Sequence, residues 1–111
     1  MQQEPKGGNQ LTAIYLPKQY AGWSEDAIAK DAKLEGFAPF HFTNKPGDIY
    51  APHAHPETKL LVFLEGSMEV RVADQLFHCE AGDKLIIPGN MTHEATVGPQ
   101  GCTFFWSEKM E

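Results

Sequence analysis

Residues 47–93 constrain this chain more than any other stretch. The segment opens with Gly47-Asp48-Ile49-Tyr50-Ala51-Pro52-His53-Ala54-His55 and closes with Gly82-Asp83-Lys84-Leu85-Ile86-Ile87-Pro88-Gly89-Asn90-Met91-Thr92-His93. Two apolar runs, residues 60–64 and 68–72, lie between these ends and are punctuated by Gly66. On extended chain, side chains alternate with period 2, so the His-x-His pair presents both imidazoles to one side. A third histidine brought in from a later strand could complete a metal site inside a barrel. The glycines and prolines that flank these histidines strengthen that reading.

The surrounding sequence reads as short strands separated by turn residues. Residues 37–43 alternate, and Asn44-Lys45-Pro46-Gly47 is a turn by composition. Residues 60–64 form a continuous apolar run, the pattern of a well-buried strand. Residues 67–72 alternate, with Met68, Val70 and Val72 inward. Further strands are expected at 76–79, 84–87, 92–97 and 102–106, the last two divided by Gly98-Pro99-Gln100-Gly101. This spacing predicts an all-β barrel or sandwich.

Ahead of these strands, residues 1–10 are polar and predict a flexible arm, leaving residues 11–111 as a single domain. Residues 11–16 predict a strand ended by Pro17, available to pair with a sheet edge of this chain or of a second copy. Ser24, followed by Glu25 and Asp26, opens a helix expected over 24–35 and closed by Gly36. Its partial apolar stripe suits a lid on the outside of the barrel.

The formal net charge of the 111 residues is −6, and no Lys/Arg cluster is present, which argues against nucleic acid as a partner. No apolar run is long enough to span a bilayer, and the N-terminal residues lack an apolar export segment, so the expected address is the cytoplasm, away from membranes. Cys79 and Cys102 lack C-x-x-C spacing and sit in apolar strands, as expected of buried reduced thiols.

Residues 47–66 and 82–97 resemble the paired motifs of the cupin superfamily, G-x5-H-x-H-x3,4-E-x6-G and G-x5-P-x-G-x2-H-x3-N. Gly47, His53, His55 and Gly66 match the first motif, and Gly82, Pro88 and His93 match the second. Three positions depart from the pattern. Lys59 stands at the first motif's Glu, Asn90 at the second motif's inner Gly, and Val97 at its Asn. The resemblance implies a cupin-like β-barrel, a double-stranded β-helix of the jelly-roll kind, with one short N-terminal helix. It also implies that His53, His55 and His93 hold a divalent transition metal, for which neutral imidazole suits Fe, Zn, Ni, Mn or Cu. The superfamily hosts isomerases, dioxygenases, sugar binders, regulators and storage proteins, so fold does not select among functions.

Lys59 is the departure with chemical consequence. Counting by twos from His53 and His55 puts it on the inner face, where it snorkels to the mouth, binds an anionic group of a ligand as anchor or catalytic base, or marks a site without metal. Glu57 shares that parity and is a candidate for the missing carboxylate. Phe63, Met68, Phe40 and Trp106 are candidate walls of a ligand pocket, whereas His41 and His78 suit the surface or a structural role. Two functions follow. One is a metal-dependent enzyme, dioxygenase-like or isomerase-like, acting on a small and possibly anionic metabolite. The other is a binding module that senses such a ligand without turnover. Exposed sheet edges, which proteins usually cover, predict a homodimer.

Overall fold

The computed structural model describes residues 12–110. The expected arm over 1–10, and Leu11 of the first strand, lie outside the described residues. The elements run β1 (Ile14–Leu16), α1 (Glu25–Leu34), β2 (Phe40–Asn44), β3 (Ile49–His53), β4 (Thr58–Val72), β5 (Gln75–Glu80), β6 (Lys84–Ile87) and β7 (His93–Lys109). All strand pairings are antiparallel. The ladder order is β1-β6-β4-β7-β2, with β5 beside β4 and β3 beside β7.

The sequence suggested breaks inside the two long strands. The structure has bends there instead. β4 runs unbroken through Gly66, and β7 runs unbroken through residues 98–101. Ladder shifts fall between Phe63 and Glu65 and between Gly66 and Met68, the signature of bulges that turn a strand without ending it. Gly66 (φ 74°) and Gly101 (φ 79°) are both left-handed, and a Cβ on Gly66 would overlap the Gly101 carbonyl. Two glycines packed backbone to backbone thus let both strands fold over together. On one side of the bend lies β1-β6-β4-β7-β2; on the other lies β5-β4-β7-β3. This is the two-sheet jelly roll.

The two halves close on one core. Leu61, Phe63, Leu85 and Phe104 from one half pack with Met68, Val70, Val72 and Val97 from the other. Full burial of each large apolar side chain stabilises by about 1.5–3 kcal/mol. The outer face of the first half is covered as well. There Leu60, Val62 and Phe105 meet Ile28 and Ala32 of α1, together with Tyr20 and Phe37. Burial on both faces explains why residues 60–64 are apolar without alternation. Ser24 caps the start of α1, its Oγ accepting the Ala27 N–H, and Gly36, at φ 92°, follows the C-cap Glu35. No helix among the described residues is long and apolar enough to cross a membrane.

The Gly82-Asp83 corner holds the first half together. Asp83 is buried, and its carboxylate accepts from the Tyr15 hydroxyl at 2.7 Å and from the backbone N–H groups of Lys18 and Glu80 at 2.9 Å. Burial, reinforced by this carboxylate, pushes the Tyr15 phenol above its ordinary value.

Candidate metal centre

His53 ends β3, and His93 begins β7 directly opposite it in the ladder. Cross-strand pairing therefore brings two histidines forty residues apart into contact, with ring centroids 4.3 Å apart. His55 stands two residues past the end of β3, with its ring 5.1 Å from that of His93 and 5.5 Å from that of His53. Donor atoms of all three lie within 4.8 Å of one another.

Backbone carbonyls set the tautomers. His53 Nδ1 lies 2.6 Å from the Ala51 carbonyl oxygen and His93 Nδ1 lies 3.0 Å from that of Met91. Each ring donates Nδ1–H there, which leaves its Nε2 with a free lone pair. His93 Nε2 is buried with no hydrogen-bond partner, and so are both ring nitrogens of His55. A buried polar atom without a partner costs about 1–3 kcal/mol, and a shared cation would remove that penalty. Burial also holds the His93 imidazole below its usual value. The Met91 carbonyl opposes this, while His53, Lys59 and His55 add to it. A neutral ring is the form that ligates metal. On donor type, convergence and unmet valence, the three residues fit a divalent transition metal.

Two of the three motif departures have a local explanation. Asn90 adopts φ 67°, a left-handed conformation in which Asn is enriched among non-glycine residues. Its backbone N–H donates to the His55 carbonyl at 2.7 Å, tying the loop of His55 to the approach to His93. Val97 is buried in the core. Its N–H donates to the Asp48 carbonyl and its carbonyl accepts the Gly47 N–H, so it clamps the start of β3 through backbone alone.

Beside the histidines lies a cavity of about 300 Å³ between the two halves of the jelly roll. Lys59, Met68 and Trp106 line it, together with Phe42 and Tyr50, which the sequence did not single out. Lys59 has the inward parity of Leu61, with its ammonium 5.1 Å from the centre of the Trp106 ring. The Trp106 ring continues outward into a stack with Phe42 at 5.8 Å.

The other candidates sit elsewhere. Phe63 was expected on the pocket wall, yet it is fully buried in the core, because it precedes the bend where the two halves close together. Phe40 also falls outside the cavity. It lies 60% exposed on the outer rim against Trp106, since β2 is an edge strand. Glu57 is on the loop beyond His55, with a carboxylate oxygen 3.7 Å from His55 Nδ1. His41 packs edge-on against Phe105, and His78 stands exposed beside Glu69. Both cysteines are free and buried, with the Cys102 thiol pushed up by burial to about 11.

Sequence reasoning missed Glu108. It faces Lys59 across the β4–β7 ladder, and its Oε2 lies 3.6 Å from Lys59 Nζ and 3.5 Å from His55 Nε2. Its parity with Trp106 was the available signal, but only the register shows what stands opposite. Lys59 therefore carries a carboxylate counter-ion.

A two-sheet jelly roll with three histidines gathered at the β3–β7 junction is the architecture of the cupin superfamily. Solved structures of that class superpose on it. An RmlC-like cupin from Shewanella frigidimarina is 22% identical with a TM-score of 0.60, the match covering 65% of this chain and 64% of that one. KdgF from a Halomonas species is 17% identical with a TM-score of 0.59, covering 68% and 70%. Oxalate decarboxylase from Bacillus subtilis, a protein with Mn(II) centres, is 23% identical with a TM-score of 0.61, covering 67% of this chain and 21% of that one. The match thus spans just under two thirds of the Shewanella protein. Within the superfamily, this chain belongs to the AraC-like ligand binding domain family, whose model matches residues 40–108. No curated protein matches the sequence.

Proposed function

We propose that this chain is a metal-binding cupin that takes a small, anionic or oxygen-rich ligand at a divalent transition metal held by His53, His55 and His93. The observation that carries this reading is the convergence of three imidazoles, with His93 Nε2 and both His55 nitrogens buried without a hydrogen-bond partner. A bound divalent ion would supply a Lewis-acid centre with positions left over for ligand oxygen. Lys59 is the anchor for an anionic group, and Met68, Phe42 and Trp106 are the apolar walls. The family's description as ligand binding supports a small-molecule partner. Assembly as a homodimer through sheet edges belongs to the same proposal.

A catalytic version of this function, dioxygenase-like or isomerase-like, is favoured by one feature. Lys59 lines the cavity and has the Glu108 carboxylate 3.6 Å behind it, so an acid and a base stand side by side at the edge of the site.

Elemental analysis of untagged protein, purified without chelator, tests the metal reading. Close to one first-row transition metal per chain is expected, and His53→Ala or His93→Ala should abolish it. Wild-type protein that arrives without metal and also fails to take up added Zn, Ni or Mn would overturn it.

A further inference from the structure

His55 belongs to two donor sets at once. One is the histidine trio; the other is His55 with Glu57 and Glu108, whose donor atoms also lie within 4.8 Å of one another. The two carboxylates face different ring nitrogens, Glu57 Oε1 at 3.7 Å from Nδ1 and Glu108 Oε2 at 3.5 Å from Nε2. Both separations are too long for a good hydrogen bond. The second is, however, the spacing of two ligands on one cation; Glu108 shares its donor set with His55 and Glu57 and not with His53 and His93, so its carboxylate must swing toward the trio to join it. With metal–nitrogen bonds of about 2.0–2.1 Å and metal–oxygen bonds of about 2.0–2.2 Å, neighbouring ligands of a five-coordinate ion, which keeps a position for ligand oxygen, stand roughly 3.0–3.6 Å apart.

Charge points the same way. Three neutral imidazoles leave the charge of a dication uncancelled, and Lys59 adds a further positive charge at the cavity wall. Glu108 is the carboxylate in salt-bridge contact with both Lys59 and His55, through a single oxygen. Its backbone is fixed by the β4–β7 ladder, whereas Glu57 sits on a loop.

We infer that Glu108 is a carboxylate ligand of the metal centre, delivered from β7, and that Lys59 is the counter-ion it must release to bind. Glu57 is a positioning residue for His55. This inference rests on the three-histidine reading and extends it. It makes the site a competition in which metal and ammonium draw on one carboxylate oxygen.

The test is Co2+ titration into the full chain, with affinity read by calorimetry and coordination read by the visible absorption of bound Co2+. The proteins compared are wild type, Glu108→Gln, Glu108→Asp, Glu57→Gln, Lys59→Met and the Lys59→Met/Glu108→Gln double variant. Glu108→Gln should weaken Co2+ binding by at least about 10-fold and change the spectrum. Glu108→Asp keeps the charge but shortens the reach, so it should also lose affinity, which electrostatics alone would not require. Lys59→Met should bind more tightly than wild type, and that gain should vanish in the double variant. Wild-type spectra in both Glu108 variants would overturn the assignment and leave the histidine trio standing, as would a spectral change in Glu57→Gln alone. Wild type that binds no Co2+ would overturn both.

Discussion

Replacing Gly66 with alanine should cost far more stability than replacing a glycine of equal backbone conformation in open space. Both Gly66 (φ 74°) and Gly22 (φ 85°) are left-handed, and an alanine pays about 1–2 kcal/mol at either position for that conformation. At Gly22 nothing lies within 4 Å of the added Cβ. At Gly66 the Cβ would overlap the Gly101 carbonyl oxygen and come within 2.8 Å of its carbon. Carbon contacts settle near 3.5–4.0 Å, so β7 must retreat by roughly 1 Å. That retreat falls in the ladder pairs Gly66–Cys102 and Glu65–Thr103. Two weakened ladder hydrogen bonds, at about 1 kcal/mol each, bring the total to about 3–4 kcal/mol. With an unfolding entropy of about 2.1 cal/mol/K per residue over a chain of 111 residues, this lowers Tm by about 13–17 °C, against about 4–9 °C for Gly22→Ala. Thermal unfolding followed by far-UV circular dichroism measures both. If the two variants lose the same amount, the backbone contact between β4 and β7 does not set the bend, and the steric part of this account fails.

Other outcomes follow from the same structure. Burial, with Asp83 beside Tyr15 and Asp31 beside Tyr20, raises both phenols above their ordinary value. A group whose folded pKa is raised contributes stability that is present below the unfolded value of about 10 and is lost as pH rises beyond it. Alkaline titration should therefore show these two phenols ionising together with unfolding, and reversible ionisation near pH 10 in folded protein would refute this. The terminal strands of the ladder, β1 and β2, expose Ile14, Leu16, Phe40 and Phe42, so light scattering should report a homodimer. A mass near 12.4 kDa at high concentration, or a dimer indifferent to deletion of residues 1–16, would count against it.

Local rules carried the sequence a long way. Turn residues and period-2 alternation located the strands, Ser24 and Gly36 bounded the helix, and His53, His55 and His93 fell on the ligand positions of the cupin motifs. Each of these signals acts over a few residues, which is why it can be read from the chain alone. What the tertiary structure decided was relational. Gly66 and the glycines after Val97 look like strand ends in sequence. They became bends because each backbone had another to lie against. Phe63 and Leu61 share a parity, yet only Leu61 lines the cavity, because depth along a strand depends on where the sheet folds. Lys59 could be assigned an inward direction but not a partner. Glu108 lies forty-nine residues away, and only the register of β4 against β7, set by the packing of two whole strands, brings its carboxylate to both Lys59 and His55.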